Sequence, residues 1–578
     1  MRIFKEWNDM DEYLNTQCKA PINIRTLLKH IFFTTFETPS QPSGWHLQLK
    51  YMNYKTLLPT IWLIAIMTAI GLYIHHYTER EVFWGGYIVM VVFYAAVFLL
   101  GTIAAQRYRS NSVSDVLLAG RSIPLWVGAF TMGATWVDGG YINGSAESTY
   151  NLGLMWVQAP WGYALSLVVG GMFFARKMRR YGFSTMLDPL AQRFGKRMAA
   201  VLFLPALSGE VFWTAAILTA LGTTFATVLG LDFDTSIILS SAIAIAYTAL
   251  GGLWAVALTD VIQMALLLVG LYLVMPFALH SVGGWDAAWE SYQAKKGALA
   301  SFLPSREALG SYYWNWWDYA LLLIFGGVAW QVYFQRVLSA RSENAAVWLS
   351  YLAALACLVA AIPAIVLGIV GDSVTSWESF GASAPDQPAL VLPFVMRYLV
   401  PGAVASIGLG AIAAAVMSSV DSSILSASSM AAWNVFRPLV RPNISNENLT
   451  KVVKSCIWII GIGATLLALN VKSVYALWVL CSDFVYCLLF PQLVLALFDK
   501  KANAWGSAAG FAVAFMLRFG GGDATLGLPI LLPYPMVEDG LVLFPFRTLA
   551  MASSFLTIML VSRLTQRQCP ARPLEVMD

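Results

Sequence analysis

Runs of apolar residues long enough to cross a bilayer, about 20 residues, recur along the chain. They fall at 57–76, 83–105, 124–152, 154–175, 198–228, 235–254, 257–281, 314–336, 346–371, 399–432, 452–471, 473–498, 504–519 and 546–563. The pattern predicts fourteen spanning helices. Two of them carry an interruption. Residues 131–147 read TMGATWVDGGYINGSAE, with a Gly pair, an Asp, an Asn and a Thr in the middle of a span. Backbone that leaves helical geometry at membrane depth is tolerated only where protein or a water-filled cavity surrounds it. The segment therefore reads as a discontinuous helix lining a solute site, with Trp136 beside the break. Residues 321–336, LLLIFGGVAWQVYFQR, repeat the arrangement with Gly326-Gly327 and Trp330. One Gly pair alone would read as a device for close helix packing. Two pairs, each flanked by Trp and polar residues and each opening a five-helix half, point to a transporter's midplane site. The two repeats then run over about 124–281 and 314–498.

Composition agrees with this reading. Hydrophobic residues make up 58% of the 578 positions and charged residues 12%, against roughly 45–50% and 25% in soluble domains. The chain is predicted to be an all-α polytopic membrane protein. No nucleophile–base set, metal motif or nucleotide loop is present, so it does not read as an enzyme, and nothing points to a nucleic-acid partner. The six Cys are scattered and the five His form no ligand cluster, which leaves neither a disulfide framework nor a metal site other than one for sodium.

Charge along the chain sets orientation. Arg107, Arg109 and Arg121, then Arg176 to Arg197, Arg336/Arg341, Arg437/Arg441 and Lys500/Lys501 fall on one predicted side. The opposite connections (229–234, 282–313, 372–395, 520–545) are richer in Asp, Glu, Gly and Pro. Both termini are then cytoplasmic, provided 57–76 spans. Residues 1–56 are polar with no signal-peptide layout, and read as a cytoplasmic extension or an artefact of the gene prediction. Residues 564–578 form a short cytoplasmic tail.

Candidate chemistry lies on a few helices. Residues 411–430, AIAAAVMSSVDSSILSASSM, put a run of Ser and one Asp on a single span. Small residues and back-bonding hydroxyls explain Ser426, Ser428 and Ser429. Asp421 resists that explanation, because an intramembrane carboxylate marks an ion or substrate path by default. Hard cations take oxygen ligands. Hydroxyls such as Ser418, joined by carbonyls freed in 131–147, would make a five- or six-oxygen sodium cage. Trp136, Tyr163, Trp213 and Trp330 sit mid-segment on four helices. A quaternary ammonium has no hydrogen-bond donor and must be held by ring faces, each worth about 0.5–2 kcal/mol. Spacing leaves open whether the four converge. Of the other membrane acids, Glu210 reads as substrate electrostatics or a buried hydrogen-bonding group. Asp260 reads as a helix cap and inner-gate group, Asp318 as a gate or solvated group, and Asp483 as a structural pair.

The stretches YTALGGLWA (247–255), GGYINGSAE, VQAPWGYALSLVVGGMFFARKMR, TMLDPLAQRFGKRM, FLPALSGEVFW, WQVYFQRVLS and VMSSVDSSILSASSM resemble the sodium/solute symporter family over about residues 83–565, and most closely its choline-carrying members. The resemblance implies a LeuT-like core of two inverted five-helix repeats with flanking helices, thirteen helices in all, to which 57–76 would be an extra one. It implies sodium-coupled, chloride-dependent, high-affinity choline uptake across the plasma membrane by alternating access, serving acetylcholine synthesis at presynaptic or synaptic-vesicle membranes. At matching positions, Trp136, Tyr163, Trp213 and Trp330 would form the aromatic cage. Carbonyls of Ala134, Val137 and Ala415 with hydroxyls of Ser418 and Ser419 would hold sodium, and Asp421 would serve a further cation or the coupling. The chain departs from the pattern at Asp138, where choline-carrying members have Gly. Its carboxylate is expected to add an anionic field beside the cage. Another small solute on the same fold, or a choline-binding sensor without transport, are the alternatives.

Overall fold

The computed structural model describes residues 54–78, 80–107, 118–249 and 253–577. Most of the predicted N-terminal extension and the centre of YTALGGLWA lie outside them. Each of the fourteen predicted spans contains a helix. Ten helices among the described residues are long and apolar enough to cross a membrane. The exceptions are the span at 124–152, which is split, and those at 235–254, 504–519 and 546–563, which are shorter or more polar than a full crossing needs.

Two helices precede the first break: α1 (Tyr54–Tyr77) and α2 (Trp84–Arg107). The Tyr87 hydroxyl of α2 donates to the Met67 carbonyl of α1 at 2.5 Å. The first five-member set follows. It opens with a split helix, α3 (Leu125–Trp136) and α4 (Gly139–Asn151). Next come α5 (Ala159–Val169), carried through a π-helical stretch Gly170–Ala175 to Arg176–Arg180, and a short α6 (Asp188–Phe194). Then follow α7 (Lys196–Leu229), α8 (Phe233–Thr248) and α9 (Leu253–Ser281). After a connecting helix α10 (Trp285–Lys296) the second set repeats the plan. It has a split helix, α11 (Tyr313–Gly326) and α12 (Gln331–Ser339), then α13 (Glu343–Ser373) and a short α14 (Val391–Tyr398). It continues with α15 (Gly402–Met430), α16 (Asn446–Asn470), and α17 (Val474–Phe484) with α18 (Phe490–Phe498). The helices α19 (Ala504–Gly520) and α20 (Phe546–Leu564) close the chain, joined by a loop with a two-residue β hairpin, Val537–Glu538 and Leu541–Val542.

Helices distant in sequence make the core. The long α7 packs against α15, α17 and α8; α9 packs against α15 and α3; α13 covers both halves of the first split helix. The basic connections meet at one end. Arg121 donates to the Gly182 carbonyl, Arg179 to Ala340 O at 2.8 Å, Lys177 to Leu497 O at 2.6 Å and Arg193 to Ala496 O at 3.1 Å. The C-terminal tail lies against the same end. The Met577 N–H donates to Tyr181 O at 2.8 Å and the Glu575 N–H to Gln192 Oε1 at 3.0 Å.

Candidate substrate and cation sites

The first break is built by one residue. The last backbone bond of α3 is Val137 N–H to Gly133 O, 2.7 Å. Asp138 then turns extended (φ −94°, ψ −179°) and its Oδ1 accepts the Tyr141 N–H, capping α4. A helix start leaves N–H groups without intrahelical partners, and Asp is among the best side chains for meeting them. Gly139 follows because space demands it: a Cβ there would collide with the Val416 side chain of α15.

At the second break a ring closes the gap. The Trp330 indole N–H donates back to the Gly326 carbonyl at 2.7 Å, satisfying a group freed by the end of α11. Trp330 itself is extended (φ −113°, ψ 137°), and α12 starts after it. A Cβ on Gly326 would stand 2.5 Å from the Ser482 carbonyl of α17. One on Gly327 would stand 2.5 Å from Ser166 Oγ and 2.8 Å from the Tyr163 ring. The Gly pairs therefore do both things weighed from sequence: they break helices and permit close approach.

Between the two breaks lies one pocket, lined by Trp136, Tyr163, Trp213, Trp330, Val332, Trp478 and Cys481, with an empty volume of about 270 Å³. All four sequence-predicted aromatics reach it. Trp213 and Trp330 meet edge to face, centroids 5.4 Å apart at 88°. Tyr163 and Trp478 do the same at 4.4 Å and 67°. The Tyr163 hydroxyl is engaged by Ser482 and Trp213 Nε1 by Asp138 Oδ2 at 2.5 Å. Trp136 Nε1 is buried with no partner in the protein. The walls thus offer ring faces and no carboxylate, ammonium or side-chain amide group. Sequence reasoning missed Trp478 and Cys481. Trp478 carries the signal used for the other four, a Trp in mid-segment.

The predicted sodium ligands lie where α3 ends against α15. The Ser419 hydroxyl donates to the Ala134 carbonyl at 3.2 Å across the helix boundary, and the Ser418 hydroxyl to Ala415 O at 3.1 Å. Val137, fully buried, sits on the break itself. A hard cation arriving here meets hydroxyl and carbonyl oxygens and no competing ammonium among these contacts, a donor set that suits sodium.

The remaining acids sort out differently from one another. Asp421 accepts from Thr248 Oγ1 of α8 at 2.5 Å, away from the aromatic pocket. Glu210 also turns from the pocket. Its Oε1 accepts from Ser426 of α15 at 3.1 Å and its Oε2 is buried without a hydrogen-bond partner. Asp260 is no helix cap, since it lies inside α9; it accepts from Thr131 of α3 and lies 3.5 Å from Arg336 of α12. The Arg336 guanidinium also donates to Ser422 at 2.6 Å. Asp318 is not solvated: it is buried, accepts from the Thr548 N–H at 2.7 Å and pairs with Arg547 at 3.6 Å. Asp483 is the expected structural pair, held by Arg518 at 2.6 Å and Arg547 at 2.8 Å.

Comparison with known proteins agrees with this architecture. The chain is 46% identical over 492 residues to the high-affinity choline transporter 1 of Drosophila melanogaster, covering 82% of this chain and 78% of that protein. It is 45% identical over 499 residues to the human high affinity choline transporter 1, covering 83% and 85%. Among solved structures, an outward-open sodium-coupled sialic acid symporter superposes with a TM-score of 0.68 at 21% identity, covering 83% of this chain and 97% of that one. That likeness identifies the fold as the LeuT-like pair of inverted five-helix repeats. The pattern of the sodium:solute symporter family matches residues 116–513. Two split helices opening two five-helix sets, an oxygen-lined contact at the first break and a match across most of the chain lead to one conclusion: this protein belongs to the sodium:solute symporter family.

Proposed function

We propose that the chain carries choline across the plasma membrane, coupled to sodium and dependent on chloride, with high affinity and by alternating access. The observation that carries the reading is the convergence of five aromatic rings on one pocket between two helix breaks. A trimethylammonium group offers no hydrogen-bond donor, and ring faces are what can hold it. In this reading Trp136, Tyr163, Trp213, Trp330 and Trp478 form the cage. The free indole N–H of Trp136 is the donor available to the choline hydroxyl. Relatives at about 45% identity bear the name of choline transporters, which supports the substrate class. By resemblance, the site of action is the presynaptic or synaptic-vesicle membrane.

Sodium is held by carbonyls of Ala134, Val137 and Ala415 and by the Ser418 and Ser419 hydroxyls. Its arrival ties α3 to α15 and favours the arrangement open to the outside. Choline then completes the cage and favours closure. Only differential binding to the two arrangements can drive the exchange. Asp421 serves the coupling or a further cation, and Glu210, which faces Ser426 rather than the pocket, acts on the substrate only through its longer-range field. Moving choline inward with one sodium gains roughly 4.6 kcal/mol per 100 mV, on the order of a thousandfold accumulation. A chloride carried with them would lower that voltage contribution.

Uptake of labelled choline with sodium and chloride varied separately tests the mechanism, in wild type, Trp136→Ala and Ser418→Ala. Sodium-dependent uptake is expected, with choline affinity lost in the first variant and sodium affinity in the second. Uptake indifferent to sodium would end the coupling proposal, and unchanged choline affinity in Trp136→Ala would end the cage.

A further inference from the structure

Asp138 is fully buried, and its two oxygens serve two helices. Oδ1 takes the Tyr141 N–H and starts α4; Oδ2 takes the indole N–H of Trp213, whose ring walls the pocket, at 2.5 Å. None of the ion pairs among the described residues includes Asp138. The buried guanidiniums of Arg336, Arg518 and Arg547 are committed to Asp260, Asp483, Asp523 and Asp318. A carboxylate buried among N–H dipoles alone is costly in a low-dielectric interior unless a cation lies within reach. One indole ring away is a pocket whose walls hold no charge. A carboxylate that accepts an indole N–H polarises the ring and makes its face more negative. It also attracts a cation on the far side of that ring directly, with little screening.

We infer that Asp138 is a selectivity residue: acting through Trp213, it makes the cage prefer a monocation over an uncharged molecule of the same shape or a zwitterion. This rests on the proposed choline reading and deepens it. Two further consequences follow. The residue that breaks the helix is also the one that charges the cage, so the geometry and the electrostatics of the site are fixed together. A zwitterionic analogue brings a carboxylate toward Asp138 and is disfavoured by like charge.

The test compares competition against labelled choline uptake by choline, by its uncharged tert-butyl isostere 3,3-dimethylbutan-1-ol, and by glycine betaine. Wild type, Asp138→Asn and Asp138→Glu are measured, each with a sodium titration. In Asp138→Asn, choline affinity is expected to fall by about tenfold or more while affinity for the uncharged isostere changes less than about threefold. Asp138→Glu, which keeps the charge, is expected to recover part of the preference. A uniform fall for all three compounds would overturn the inference, since it would mark a purely structural cap. So would an unchanged choline-to-isostere ratio, or a rise in the sodium requirement alone, which would assign the carboxylate to the ion. If neither variant reaches the membrane, wild type still decides: choline and the isostere competing equally well overturns it. Wild type that takes up no choline would instead mean that the substrate reading itself had failed.

Discussion

Trp213 shows how much rests on single atoms. It is a wall of the pocket, an edge-to-face partner of Trp330 and the donor to a buried carboxylate. Trp213→Phe keeps an aromatic face but removes the N–H. A weaker ring face and an under-satisfied Asp138 together should cost about 2–3 kcal/mol, so choline affinity should drop on the order of 30- to 160-fold. Competition binding on membranes measures it, and a change under threefold would mean that the indole N–H does not matter. Tyr163→Phe should be milder, because the ring stays and only the hydroxyl, bonded to Ser482 with a longer contact to Cys481, is lost. A net hydrogen bond of about 1 kcal/mol corresponds to a change of roughly fivefold. Four of the pocket's aromatics were legible in the sequence as Trp or Tyr in mid-span. Trp478 carries the same signal, but with 22 Trp in the chain that signal alone does not separate a pocket wall from packing.

At the scale of the element, the split helices are both hinges and close contacts. Gly139 and Gly326 admit no Cβ without displacing Val416 or the Ser482 carbonyl. Overpacking costs typically about 1–3 kcal/mol, and here it pushes the break away from its partner helix. Gly139→Ala and Gly326→Ala should each lower transport at saturating choline by on the order of tenfold. Gly463→Ala, on α16 with open space around it, should transport normally. Rates normalised to surface protein report this; an active Gly326→Ala would show that α11 and α17 need not touch. The breaks themselves were readable, since a Gly pair and an Asp inside a span have no place in a lipid-facing helix. The Asp–Gly–Gly order is also that of an N-cap. What could not be read was that the Asp caps with one oxygen and holds a Trp with the other.

Two groupings of charge tie distant parts of the described residues together. The basic connections meet at one end, where the C-terminal tail also lies. The second grouping is a buried brace in which Arg518 and Arg547 of α19 and α20 hold Asp483 of α17, Asp318 of α11 and Asp523. The brace ties the last two helices to the second repeat, away from the pocket. Asp483→Asn leaves two buried guanidiniums short of a charge, and breaking such a pair costs about 3–5 kcal/mol. A marked fall in the thermal midpoint of the detergent-solubilised protein is expected, with choline affinity of the folded fraction changed less than about twofold. A large affinity loss at unchanged thermal stability would move Asp483 into the transport site. This whole-molecule role was legible for Asp483 but not for Asp318, which by sequence read as either a gate or a solvated group and which α20 covers.

The sequence by itself determined the fourteen helical segments, the two breaks, the side on which basic residues gather and the inventory of membrane acids and aromatics. These follow from local costs: the transfer of side chains into lipid and the satisfaction of backbone hydrogen bonds within a segment. Only the tertiary structure decided which aromatics meet, which acids pair, and that Asp138 both caps the helix after the break and holds the Trp213 ring that lines the pocket. Those outcomes depend on packing between helices far apart in the chain, as Tyr163 on Trp478 and Arg547 on Asp318. No local pattern encodes which side chain across a buried interface will supply the missing hydrogen bond or charge.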